Sequence, residues 1–128
     1  MRRRILTAPL MVAAVTTCLT VLTAAPAAAA GDWECNVIVP AADQLQNGFD
    51  LVSPSGTPPW VAMQIRNALA PLHGLRSAAA ADLRVRSDIL ASSIDNSDPY
   101  RPTGPEQIAG DLAKARQKLA AARDYCAP

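Results

Sequence analysis

The sequence predicts a small all-α protein, a helical hairpin or three-helix bundle closed by one disulfide. Apolar residues recur at helical spacing along two long segments, and residues that begin or end helices flank those segments. Cys35 and Cys126 lie near the two ends of the chain that would remain after cleavage at Ala30, which predicts the closure. We therefore expect one domain over residues 31–128, with residues 1–30 removed.

Residues 1–30 have the pattern of a cleaved signal peptide. Three arginines at positions 2–4 precede an uncharged, mostly apolar stretch from Leu10 to Ala25, and small residues at 28–30 supply a cleavage site. Arginine outnumbers lysine and alanine is frequent, which favours a bacterial source. We expect a secreted, extracytoplasmic protein of the bacterial cell envelope or medium. Both the general secretory and the twin-arginine export routes fit these residues.

The segment 31–56 is predicted to form an N-terminal arm and a short helix. Pro40 suits the first turn of a helix, so the short helix is expected to start there and to reach Leu45 or slightly beyond. Asn47-Gly48 is a turn or cap signal, and a loop follows over residues 53–56.

Residues 57–128 are predicted to form the helical hairpin, and its first arm is the longer one. Thr57 is a candidate N-cap, and the two prolines after it suit a first helical turn. From Val61 to Ile94 the apolar stripe keeps one register for more than 30 residues. This pattern favours one long kinked helix, or two nearly collinear ones.

A kink or break is expected between residues 70 and 77, where Pro71 and Gly74 interrupt the stripe. Ser77 is a candidate cap for the part that follows. Two charged pairs at i,i+4 spacing indicate the solvated side of this part. They are Asp82 with Arg86 and Arg84 with Asp88.

The returning C-terminal helix is predicted from a capping box and an apolar seam. Thr103 and Glu106 have the spacing at which each side chain bonds the other's backbone amide. Beyond them an apolar residue recurs every three or four positions and the seam ends on a cysteine, which aims that cysteine at the core. The seam consists of Ile108, Leu112, Ala115, Leu119, Ala122 and Cys126.

Composition excludes several classes of function. Without its first 30 residues the chain keeps nine basic and all 11 acidic residues, a formal charge of −2, which does not favour nucleic-acid binding. No second apolar run has the roughly 20 residues that a transmembrane segment needs. His73 is the single histidine, and no HExxH or CxxC motif occurs, so we expect no metal site.

Four residues are candidate contacts for a ligand or partner: Trp60, Met63, His73 and Tyr100. Aromatic side chains are the usual anchors of binding surfaces, although Trp60 also suits a packing role beside the helix start. Histidine, methionine and tyrosine are all side chains that can serve as axial ligands of haem iron. Haem is therefore the one cofactor to consider.

The sequence has no catalytic motif. In particular, it has no G-x-S-x-G motif whose serine the single histidine could activate as a base. We expect a non-catalytic binding or interaction protein, whose partner is an unidentified protein or a small apolar ligand. The alternative is a small-ligand carrier, for haem or a lipid, with its pocket at the predicted kink. A small helical enzyme is a third reading.

Overall fold

The all-α class is confirmed by the computed structural model, which describes residues 32–97 and 104–128 and, for Asp32, the backbone alone. The expected signal peptide lies outside the described residues. Four α-helices and one 3₁₀ turn make up the described part of the chain. They are α1 (Asp32–Asp50), α2 (Pro59–Leu69), the 3₁₀ turn (Ala70–Gly74), α3 (Ala78–Asp95) and α4 (Pro105–Tyr125).

Helix α1 replaces the predicted arm and short helix. It runs without interruption through Pro40 and through Asn47-Gly48, which were expected to start and to end a short helix. Pro40 removes one backbone hydrogen bond, but it lies on the exposed side of α1, where water can solvate the freed carbonyl of Asn36. Because the opposite side buries Ile38, Leu45 and other apolar residues, packing outweighs the local cost of the proline.

The break between α2 and α3 lies where the sequence predicts it, but the two helices are not collinear. Pro71 is the second residue of the 3₁₀ turn, and Leu75 and Ser77 then take extended backbone conformations with ψ of 145°. Two extended residues turn the chain back on itself, so α3 packs beside α2. Ser77 caps α3 as expected, since its hydroxyl accepts a hydrogen bond of 3.3 Å from the amide of Ala80.

Helix α4 begins at Pro105, with Gly104 in the N-cap position and no side-chain cap bond. The predicted capping box pairs Glu106 with Thr103, which lies outside the described residues, so the box stays a prediction. The apolar seam is confirmed. Its residues Ile108, Ala115, Leu119 and Ala122 are buried, and Leu112 and Cys126 pack partly buried against the same core.

The helices form an antiparallel bundle in which each packs on the next and α4 packs back on α1. Ion pairs between α4 and α1 give the register, because Arg116 contacts Asp50 while the later Arg123 contacts the earlier Asp43. Alternating helix directions bring the ends of distant segments together. Among the described residues, the buried core between the helices is aliphatic apart from one aromatic ring, that of Phe49.

Charged residues of α3 pair with neighbouring helices. Asp82 contacts Lys118 of α4 at 3.5 Å, and Asp88 contacts Arg66 of α2 at 3.7 Å. These contacts replace the predicted pairs within α3, because a packed neighbour presents its cations close to the same carboxylates. Exposed pairs of this kind contribute about 0–1 kcal/mol each, so they set register more than stability.

The predicted disulfide between Cys35 and Cys126 is confirmed, with 5.5 Å between the two Cα atoms. It joins the first turn of α1 to the residue that follows α4. Because the cysteines are 91 residues apart, the chain-entropy description gives the crosslink about 4–5 kcal/mol of stabilisation.

Glu34, next to this disulfide, joins α1 to the start of α3. Its carboxylate accepts hydrogen bonds from the amides of Arg76 at 2.9 Å and Ser77 at 3.3 Å, and the side chain is only 5% exposed. The Ser77 hydroxyl, followed by the Arg76 amide, holds the pKa of Glu34 below its ordinary value, against the opposing effect of desolvation. The start of α3 is therefore capped by a carboxylate from another helix.

Replacing Glu34 with Gln is expected to destabilise the protein at pH 7 and to matter less in acid. Because folding lowers the pKa from the ordinary value of 4.5, the contribution of the ionised side chain is complete above that value. It is lost as the pH falls through the folded-state pKa. Urea unfolding of both proteins at pH 7 and pH 3 measures the difference. The exposed Glu106→Gln variant is the control, and an equal loss for Glu34→Gln at both pH values would contradict the capping role.

Ser87 is expected to be a destabilising residue in the core. Its side chain is fully buried, and its hydroxyl oxygen has no hydrogen-bond partner among the described residues. A buried hydroxyl without a partner costs free energy, and alanine is also the better helix former. Ser87→Ala should therefore raise the free energy of unfolding by about 1 kcal/mol, measured by chemical denaturation. A loss of stability would mean that the hydroxyl is paired.

Candidate functional site

A groove of about 300 Å³ lies between α1 and α2. Helix α2 has five groove residues at positions i, i+3, i+4, i+7 and i+8, which is the spacing of one helical face. Helix α1 provides two more, three residues apart. The groove residues are Trp60, Met63, Gln64 and Asn67 of α2 with Gln44 and Asn47 of α1, and Ala68 completes the lining.

Every described residue that lines this groove is uncharged. Trp60 is 54% exposed and Met63 is 63% exposed, so neither side chain is buried in the core. The polar side chains of the groove are all carboxamides. None of these carboxamides forms a hydrogen bond with another residue in the ranges 32–97 and 104–128. The groove thus combines exposed apolar surface with free donors and acceptors.

The seam between α1 and α2 also differs from the other three in its charges. Within the part of the chain that the structure describes, ion pairs cross the seams α2–α3, α3–α4 and α4–α1, but none crosses α1–α2. The surface of this seam is therefore not covered by paired long side chains. Its groove is open to a ligand.

Gly48 is buried in α1 and faces α2. A Cβ atom at this position would lie 3.1 Å from Cγ1 of Ile65, closer than ordinary van der Waals contact. Glycine thus lets α1 and α2 approach closely beside the groove.

A second groove, of about 210 Å³, lies between α2 and α3 beside the 3₁₀ turn. Leu69 and Val85 provide its apolar lining, and His73, Arg66, Arg84 and Asp88 provide its polar lining. Arg66 is engaged by the carboxylates of Asp88 and Asp95. Arg84 donates a hydrogen bond of 3.3 Å to the main-chain carbonyl of His73.

The structure divides the four predicted contact residues. Trp60 and Met63 line one groove together, His73 lines the other, and Tyr100 lies outside the described residues. The candidate haem ligands Met63 and His73 therefore do not face a common cavity. The groove that holds His73 is also smaller than the roughly 300–1,000 Å³ of typical ligand pockets.

Sequence reasoning missed the four carboxamides. Gln64 and Asn67 follow Trp60 at i+4 and i+7, so their shared face could have been read from the spacing. Gln44 lies within the predicted short helix, but the sequence has no signal that this helix packs beside α2. Asn47 falls in the predicted turn after Leu45, whereas α1 continues to Asp50, so the wrong helix boundary hid this residue.

In the described ranges, no group of three or more His, Cys, Asp or Glu side chains could hold a metal ion. None of the helices there has the length and apolar character that a membrane crossing requires.

The chain matches no protein-family model, no curated protein and no solved structure. Its function is therefore inferred from its own residues.

Glycine at position 48 is expected to be needed for close helix packing, whereas glycine at position 110 is not. Both lie inside helices, where Gly→Ala ordinarily stabilises by about 1 kcal/mol. Gly110→Ala should show this gain, because a Cβ there meets nothing within 4 Å. Gly48→Ala should show a smaller gain or a loss, because its Cβ crowds Ile65. Thermal and urea unfolding of the two variants measures the difference, and equal gains would contradict the close approach.

Proposed function

We propose that this chain is an exported, non-catalytic binding protein of the bacterial envelope or medium, with the α1–α2 groove as its contact surface. The observation that carries the proposal is the exposure of Trp60 and Met63 in a groove without charged residues. Large apolar side chains left more than half exposed gain free energy when a ligand covers them.

The composition of the groove supports a binding role. Contact surfaces are enriched in aromatic residues and methionine at their centres and depleted in lysine and acidic residues, because desolvating a charge is costly. The groove follows that pattern, whereas the surfaces of the other three seams are crossed by ion pairs. If Trp60 served only to pack the preceding loop against α2, it would be more buried than it is in the structure.

The surroundings of His73 support the non-catalytic part of the proposal. Acid–base or nucleophilic catalysis by the single histidine needs a reacting partner nearby. The other residues of its groove are two arginines, an aspartate, a leucine and a valine, and none of these is a serine, threonine or cysteine nucleophile. We propose that His73 is a surface residue of the 3₁₀ turn.

A small-ligand carrier is the second candidate, and the position of the α2–α3 groove favours it. The groove lies at the break between α2 and α3, beside Arg84 and the apolar side chains of Leu69 and Val85. A cation beside apolar surface suits a small lipid with an anionic head group. The volume of this groove, about 210 Å³, favours a lipid with a short acyl chain over a haem.

The contact surface can be tested by photo-crosslinking at Met63, which is the single methionine in residues 31–128. Cells that make the full chain and incorporate photo-methionine place the reactive diazirine of the processed protein at this one position. We expect irradiation to yield a covalent adduct, identified by mass spectrometry, because the side chain lies in the proposed contact surface.

Two tryptophan variants provide the matched control. Trp60→Ala should remove most of the adduct, whereas Trp33→Ala should not, since Trp33 is similarly exposed at 59% but does not line the groove. An absence of adducts, or an adduct that is insensitive to Trp60→Ala, would contradict the proposed surface.

A further inference from the structure

We propose that the α1–α2 groove binds a neutral saccharide, with the indole of Trp60 as the stacking surface and the four carboxamides as partners for sugar hydroxyls. This inference rests on the proposed function, because it names the ligand class of the same groove. It follows from the hydrogen-bonding chemistry, the charge and the size of the groove.

The hydrogen-bonding groups of the groove match hydroxyl groups. Each carboxamide offers one acceptor oxygen and two N–H donors, and a hydroxyl likewise donates and accepts. Gln44 and Asn47 lie on one wall, and Gln64 and Asn67 lie on the other. A ligand with hydroxyls around its rim could pair with both walls at once. An apolar ligand would instead desolvate four amides without compensation, which is costly.

Trp60 supplies the apolar part of the site. Its indole is flat, and the residue is 54% exposed beside the carboxamides. A sugar ring has hydroxyls at its edge and C–H groups on its face, so the face can cover the indole while the edge meets the amides. Aromatic side chains give large contact areas at low entropic cost, which makes Trp60 the expected anchor.

Charge and size separate a saccharide from other ligands. Because no lysine, arginine, aspartate or glutamate among residues 32–97 and 104–128 lines the groove, no described side chain there would neutralise an ionic ligand. A stable protein interface buries about 800 Å² on each partner and involves roughly 20–30 residues a side. This groove has seven lining residues and a volume of about 300 Å³, which is the lower end of the range for small-molecule sites.

The experiment presents the full chain, purified from the expressing cells, to an array of neutral and anionic oligosaccharides. The best neutral oligosaccharide is then titrated by calorimetry. We expect neutral glycans to bind in preference to anionic ones. Trp60→Ala should weaken binding by about tenfold, whereas Trp33→Ala should leave it unchanged.

Asn67→Leu tests the amides separately, because leucine has a similar size but no hydrogen-bonding group. It should also weaken binding, and the helix content of every variant, measured by circular dichroism, should match the wild type. Sedimentation with insoluble polysaccharide, compared with the soluble array, distinguishes a wall-bound glycan from a free oligosaccharide.

The proposal is overturned if no neutral glycan binds, or if binding is insensitive to both Trp60→Ala and Asn67→Leu. A Met63 adduct with a protein, formed without any glycan binding, would overturn the saccharide and leave the groove as a contact surface. If the protein gives neither a Met63 adduct nor glycan binding, the proposed function is overturned as well.

Discussion

The structure depends on the joining of three helix ends at one end of the bundle. The disulfide ties the start of α1 to the residue after α4, and Glu34, adjacent to Cys35, caps the start of α3. A covalent bond and a buried carboxylate thus act on consecutive residues of α1. A chain of this size buries only a limited apolar core. Fixing the relative positions of three helices at one end therefore adds much of the stability that the core alone does not provide.

This arrangement leaves the four seams between helices unequal. Three seams are crossed by ion pairs in the described part of the chain, and the disulfide reinforces the seam between α4 and α1. The seam between α1 and α2 instead relies on apolar contact and on the close approach at Gly48. Its outer surface is free to carry Trp60, Met63 and the carboxamides. The candidate site therefore lies on the seam where surface side chains contribute least to holding the helices together.

The sequence predicts the helix content, the disulfide, the seam of α4 and the cap at Ser77, because each has a local signal in residue type or spacing. It does not predict the extent of α1, since Pro40 and Asn47-Gly48 are local stop signals that burial of the opposite face outweighs. It also does not predict that α3 folds back on α2. A continuous apolar register is compatible with a straight helix and with a hairpin, and only the extended backbone at Leu75 and Ser77 distinguishes them.

The same limits apply to the candidate site. Trp60 and Met63 stand out by residue type, but Gln44 and Asn47 belong to the groove only because α1 passes beside α2.

The disulfide has one further consequence. It makes the backbone from Cys35 to Cys126 a covalent ring, so a protease that cuts the exposed loop at residues 54–56 would open the ring without releasing either piece. The two pieces would stay at high effective concentration and re-form the bundle as a circularly permuted chain does.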